Sequence, residues 1–111
     1  GYKLQYDLAN FFTSKKINFK VISSENLLKN PKEVLNDVCE FSKKKFNPQM
    51  LSWRKGGIVE DGVWSKYWYK NVHNSDGFSS WVNKPSEEIY ANQFELLEEA
   101  KHYYQKLISY L

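Results

Sequence analysis

The sequence is poor in residues that build covalent or metal-bound scaffolds. A single cysteine, Cys39, excludes an internal disulfide and suits a reducing compartment, so we expect a cytoplasmic protein. The two histidines, His73 and His102, are far apart in sequence and cannot join one cysteine in a zinc site of the usual kind. We therefore predict no metal site, and residue order alone assigns no catalytic residue.

Long apolar runs and a strong excess of charge are also missing. Residues 1–111 contain no apolar run long enough to span a membrane, so we expect no signal peptide and no membrane partner. The formal net charge is +3, which fits a local anion site better than an extended nucleic-acid surface. No glycine-rich phosphate loop lies between a strand and a helix.

Aromatic residues are abundant, at 17% of 111 residues, within a composition typical of a globular domain or part of one. The stretch from Glu60 to Phe78, called the aromatic block below, holds two tryptophans, two tyrosines, a phenylalanine and a histidine. Two interpretations are open: the aromatic block is an ordinary packed core, or it is the wall of a binding site.

Hydrophobic periodicity predicts a mostly helical chain with one strand. An α-helix followed by a short link and an apolar strand indicates an α/β layer. The predicted elements are a helix over residues 3–14, a strand over 17–23, a helix from Pro31, a helix over 62–72 and a long helix over 93–111.

The helix from Pro31 has clear start signals. Asn30 is a candidate N-cap, Pro31 takes the first helical position, and Glu33 can reach back as in a capping box. Cys39 falls on the apolar stripe of this helix and is predicted to be a core residue.

The best anion-site candidate is the loop Arg54, Lys55 and Gly56. Two adjacent cations beside flexible backbone offer charge and N–H donors to a phosphate. The alternative is a solvated surface turn, because such dipeptides are common on protein surfaces.

The aromatic block has helical order. Trp64 and Trp68 lie on one predicted face, where we expect them to pack in the core. Tyr69 and His73 lie four residues apart on a neighbouring face and are candidates for a pocket edge.

The segment "FKVISSENLLKNPKEVLNDVCEF" resembles the C-terminal part of P-loop-like sulfotransferases. In that family a strand leads into a Glu-x-Leu-x-x-x-Pro-x-x-x-Leu segment and a helix. The matching residues here are Glu25, Leu27, Pro31 and Leu35.

The following stretch is similar, more specifically, to a bacterial sulfotransferase-like family with Asp-Gly-x-Trp, Trp-Tyr and Val-His-x-Ser-x-Gly-Phe motifs. The whole resemblance covers roughly residues 15 to 110. The positions that carry this second motif are Trp53, Gly56, Asp61, Gly62, Trp64, Trp68, Tyr69, Val72, His73, Ser75, Gly77 and Phe78.

The resemblance implies an α/β fold around a parallel sheet and sulfuryl transfer from 3'-phosphoadenosine 5'-phosphosulfate to a small-molecule hydroxyl or amine acceptor. It also implies that Arg54, Lys55 and Gly56 stand where an Arg-Lys-Gly triplet of the cytosolic enzymes holds the 3'-phosphate of the nucleotide. Tyr69 and His73 are then candidates for the acceptor side.

The family's N-terminal phosphate-binding loop and its upstream catalytic base have no counterpart here. We therefore expect residues 1–111 to be the C-terminal portion of one sulfotransferase-like domain, inactive without the remainder of that domain. The alternative functions are a non-enzymatic aromatic-rich module that binds a carbohydrate or nucleotide, and a purely structural domain.

Overall fold

The computed structural model describes residues 1–80 and 93–111, and these residues form two compact units. One unit combines Gly1–Ser23 with the C-terminal helix, and the other begins at Ser24 and contains the aromatic block. The α-helices of the described residues are α1 (Tyr2–Ser14), α2 (Ser24–Lys29), α3 (Pro31–Phe41), α4 (Ser65–Trp68), α5 (Lys70–His73) and α6 (Phe94–Ile108). Two short 3₁₀ turns lie at Pro48–Leu51 and Val59–Asp61.

Helices α1 and α6 pack against each other and form the first unit. Ala9 of α1 and Leu107 of α6 are its buried apolar residues among those described. Tyrosine pairs line the same contact, with ring centroids 5.3 Å apart for Tyr2 and Tyr104. These contacts confirm the two long amphipathic helices predicted at the ends of the chain.

The predicted strand over residues 17–23 does not form. No strand is assigned to this segment, and the β pairing within the described residues is a single antiparallel bridge between Ser52 and Gly77. Phe19 instead packs against Phe12 and Tyr110, with centroid distances of 5.9 and 5.4 Å. Apolar alternation supplies a face to bury, but a strand also needs a neighbouring strand to take its backbone hydrogen bonds.

The second unit begins with α2 and α3, which contact each other. Helix α3 starts at Pro31 after Asn30, as predicted, but the Asn30 side chain makes no capping hydrogen bond. The predicted capping box is therefore wrong, although the proline correctly marks the first turn. Cys39 is buried as predicted, and its Sγ lies 3.9 Å from Sδ of Met50.

The single helix predicted over residues 62–72 is two separate turns. Tyr69 lies between α4 and α5 with φ −102° and ψ 15°, outside the helical region. His73, at the end of α5, contacts Asp61 through its side chain and Gly56 through its backbone carbonyl. Each turn alone is too short to be a stable helix. Contacts of this kind therefore determine the local structure more than periodicity does.

No helix in the described ranges combines the length and the apolar character needed to cross a bilayer.

Candidate functional site

Trp53 connects the loop Arg54, Lys55 and Gly56, called the basic loop below, to the end of the aromatic block. Its backbone N–H donates to the carbonyl of Asp76 at 3.0 Å, and its indole Nε1 donates to Ser75 Oγ at 3.1 Å. Its ring meets Phe78 edge-on, with centroids 5.3 Å apart. The loop that follows therefore begins from an anchored position.

Arg54 and Lys55 are adjacent in the loop and both are exposed. Lys55 Nζ lies 3.5 Å from Oδ2 of Asp76, a solvent-exposed pair that contributes little stability. Within the described residues, the guanidinium of Arg54 makes neither an ion pair nor a side-chain hydrogen bond. Its charge and its planar set of donors are thus available to an anionic ligand.

Gly56 adopts a φ of +105°, a conformation that side-chain-bearing residues rarely take. Open space lies where its Cβ would be, so a ligand can approach the backbone closely. Its N–H, however, donates to the carbonyl of His73 at 2.8 Å. Gly56 can therefore offer close approach but not the N–H donor that the sequence suggested.

His73 and Asp61 form the central polar pair of the site. Nε2 of His73 lies 2.9 Å from Oδ2 of Asp61, and the two side chains are 22% and 21% exposed. The same oxygen accepts the backbone N–H of Ile58 at 3.0 Å. The hydrogen bond from Ile58, followed by the one from His73, lowers the pKa of the Asp61 carboxyl.

Gly57 packs closely against the side chains of this pair. A Cβ at this position would stand 3.0 Å from Cε1 of His73 and 3.4 Å from Oδ2 of Asp61. A side chain at Gly57 would therefore crowd the His73 ring, whereas at Gly56 glycine is favoured by the backbone angle.

The two acceptor-side candidates, Tyr69 and His73, lie together. Their rings meet edge-on, with centroids 5.9 Å apart and planes at 90°. Because Gly56 bonds to the backbone of His73, the structure brings the basic loop and this ring pair into one region of the second unit. The carboxylate of Asp61, which we did not single out as a site residue, is what orients the imidazole.

An open cavity of about 490 Å³ lies beside the polar pair. Trp64 and Trp68 are 69% and 77% exposed, so the prediction that they pack in the core is wrong for the described chain. Both side chains form cavity walls and do not reach a core. The residues that line the cavity are Asp61, Trp64, Ser65, Trp68 and Tyr69.

The motif that runs from Trp53 to Phe78 thus has two structural roles. Some of its residues connect the loop to the aromatic block through hydrogen bonds and ring contacts, some line the cavity, and Asp61 does both. The connecting residues are Trp53, Gly56, Asp61, His73, Ser75 and Phe78. The described ranges contain no group of histidine, cysteine and carboxylate side chains that could hold a metal ion.

Two curated proteins from Arabidopsis thaliana are similar to this chain. One, a "Branched-chain-amino-acid aminotransferase-like protein 1", is 37% identical over 91 residues, covering 82% of this chain and 16% of that protein. The other, a "Branched-chain-amino-acid aminotransferase-like protein 2", is 33% identical over 87 residues, covering 78% of this chain and 15% of that protein. The chain thus spans about a sixth of the length of these relatives. No solved structure matches it.

The sequence also matches a protein family described as "Sulfotransferase domain" over residues 8–110, which is nearly the whole chain. This agrees with the resemblance carried by the two motifs, although it does not extend to a bacterial subfamily. The chain belongs to the sulfotransferase domain family.

Proposed function

We propose that this chain is the C-terminal portion of an enzyme that transfers a sulfuryl group from 3'-phosphoadenosine 5'-phosphosulfate to a hydroxyl or amine of a small-molecule acceptor. Its role in that enzyme is to hold the nucleotide's 3'-phosphate with Arg54 and Lys55. Gly56 allows the phosphate to approach the backbone. The remainder of the sulfotransferase domain supplies the catalytic groups, and the 111-residue chain alone is inactive.

The observation that carries the proposal is the unpaired state of Arg54 beside an open backbone. An exposed guanidinium with no partner among the described residues loses no internal contact when it binds a phosphate. The neighbouring Gly56 has its positive φ and open space on the side where a side chain would stand. The Arg54 guanidinium and the open backbone at Gly56 are therefore close to each other in the loop.

Lys55 supports the same assignment with a smaller contribution. It must leave Asp76, but that pair is long, exposed and weak. A doubly charged phosphate between Arg54 and Lys55 offers a stronger partner than one exposed carboxylate.

The His73–Asp61 pair supports an acceptor side next to this loop. Asp61 holds Nε2 of the imidazole, which orients the ring beside Tyr69. An oriented imidazole and a phenol can both bind an acceptor hydroxyl or amine. We assign them to acceptor binding and not to catalysis.

The aromatic cavity favours a second function, a non-enzymatic module that binds a small ligand. Cavities of this size lined mainly by aromatic side chains are typical ligand sites. We do not propose aminotransferase activity. The two relatives whose names contain that term match this chain over only about a sixth of their length.

The test is calorimetric titration of the intact protein with 3'-phosphoadenosine 5'-phosphate. Arg54→Ala should weaken binding about tenfold, because a hydrogen bond to a charged group contributes about 1.5–3 kcal/mol. Lys55→Ala should weaken it less. Lys32→Ala, which removes an exposed lysine outside the loop, is the matched control and should bind like the wild type.

Wild-type affinity in both loop variants would contradict the phosphate assignment. The loop would then be a solvated surface turn, and the second function would be favoured.

A further inference from the structure

We propose that the cavity on α4 binds the alkylated ammonium group of a small organic cation. This site is distinct from the basic loop, and the inference does not depend on the nucleotide assignment. It rests on the chemistry of the five residues that line the cavity.

Three of these residues present aromatic rings. Trp64, Trp68 and Tyr69 lie within six consecutive residues, all three line the cavity, and all three are exposed to solvent. The face of an aromatic ring carries negative charge density, and indole is the strongest ring of this kind for attracting a cation. Several rings around one space are the usual means of binding alkylated ammonium groups.

The charge of the lining has the matching sign. Among the described residues that line the cavity, Asp61 is the charged one, and none is a lysine or an arginine. Its Oδ2 is held by Ile58 and His73, whereas its Oδ1 makes no hydrogen bond among the described residues. The lowered pKa keeps this carboxylate ionised at neutral pH. This carboxylate disfavours an anion such as sulfate or phosphate here and attracts a cation.

The scarcity of polar groups argues against a sugar. The described lining residues offer one hydroxyl besides that of Tyr69, and this group, Ser65 Oγ, already donates to the carbonyl of Gly62 at 2.9 Å. A sugar would leave many of its hydroxyls without partners, which is costly inside a cavity. Alkyl groups around a nitrogen need no hydrogen bonds and pack well against rings.

Lys66 makes a cation–π contact with a ring on this turn. Its Nζ lies 4.9 Å from the ring centroid of Tyr67, on a ring that does not line the cavity. The cavity rings have no such internal cation among the described residues. They are therefore free for a ligand, and about 490 Å³ is enough for a whole small molecule.

The experiment compares choline with 3,3-dimethyl-1-butanol, which has the same shape but a carbon in place of the charged nitrogen. Both are titrated into the intact protein, with binding followed by calorimetry and tryptophan fluorescence. We expect choline to bind at least about tenfold more tightly than the neutral alcohol, because the cation–ring attraction and the Asp61 charge act on choline alone.

Variants locate the site. Trp68→Leu keeps an apolar side chain but removes the ring, and should weaken choline binding about tenfold or more. Phe41→Leu removes an exposed ring of the same unit that does not line the cavity, and as the control it should leave binding unchanged. Both residues are exposed, so both variants should fold, which thermal melts check.

Equal binding of choline and the alcohol would overturn the proposal, because the cavity would then be merely apolar. Absence of choline binding would also overturn it, as would wild-type affinity in Trp68→Leu. Titration of the same samples with 3'-phosphoadenosine 5'-phosphate reports on the basic loop separately, so a failure at one site is distinguishable from a failure at the other.

Discussion

Two single residues, Trp53 and Trp64, show that tryptophans close in the sequence can have different structural roles. Trp53 is the less exposed, at 36%, and makes a backbone bond, an indole bond and a ring contact. Trp64 is 69% exposed and lines a cavity. Composition alone gives both the same expectation, because a tryptophan is usually buried.

Trp53→Ala should therefore destabilise the protein more than Trp64→Ala. The lost hydrogen bond and edge-on ring contact contribute about 1–3 kcal/mol together, whereas an exposed truncation changes stability by about 0.5 kcal/mol or less. Denaturant unfolding of both variants measures the difference. An equal or larger loss in Trp64→Ala would mean that the cavity wall is part of a core.

Asp61 gives stability a specific pH dependence. Its folded-state pKa lies below its unfolded value, so the stabilisation is fully present above the unfolded value, about 3.9, and is lost as pH falls through the folded value. Wild type should lose more stability between neutral and strongly acidic pH than Asp61→Asn, because asparagine does not titrate.

The measurement is the free energy of unfolding at neutral pH and at about pH 2–3. Glu60→Gln removes the neighbouring exposed carboxyl and should keep the wild-type dependence. The same dependence in Asp61→Asn as in wild type would rule out the Asp61 hydrogen bonds as its source.

At the scale of elements, the long amphipathic helices could be predicted and the short elements could not. The stretches that became α1 and α6 repeat their apolar residues over several turns, and Pro31 marks the start of α3. Helix α2 has six residues, too few for a periodic pattern to stand out. The break at Tyr69 and the missing ladder at residues 17–23 depend on contacts distant in sequence, which periodicity does not contain.

The contact between α1 and α6 should depend on Leu107. Its side chain is 6% exposed and lines a space with Ala9, Phe12 and Phe19. Leu107→Ala should cost about 2–5 kcal/mol, the usual range for a buried leucine. Leu96→Ala, on an exposed side of the same helix, is the matched control and should change thermal unfolding little. Similar melting of the two variants would contradict the packing of α6 on α1.

For the whole molecule, the sequence predicted the family. It also offered candidate site residues, which stay a prediction, but not the contacts between them. Arg54, Lys55 and Gly56 were recognisable as a basic loop, and Tyr69 and His73 as neighbours on a helical pattern. The bond from Gly56 to His73 and the Asp61–His73 pair join residues from different turns and loops, so no local spacing predicts them. The parallel sheet implied by the family stays a prediction.

The apolar surface of the described residues suits a chain that packs against more protein. Ala9, Cys39 and Leu107 are the buried apolar residues among those described, whereas many large apolar side chains are exposed. Surface of this kind is typical of interaction sites, and we propose that the remainder of the sulfotransferase domain covers part of it.

The proposed contact between Arg54 and the 3'-phosphate of the nucleotide can be tested by combining one substitution with one change of ligand. Wild type and Arg54→Ala of the intact protein are titrated with 3'-phosphoadenosine 5'-phosphate and with adenosine 5'-phosphate, which lacks the 3'-phosphate. If Arg54 contacts the 3'-phosphate, the loss of about tenfold in affinity caused by Arg54→Ala should appear with the first ligand and disappear with the second. An equal loss with both ligands, or no loss with either, would contradict it.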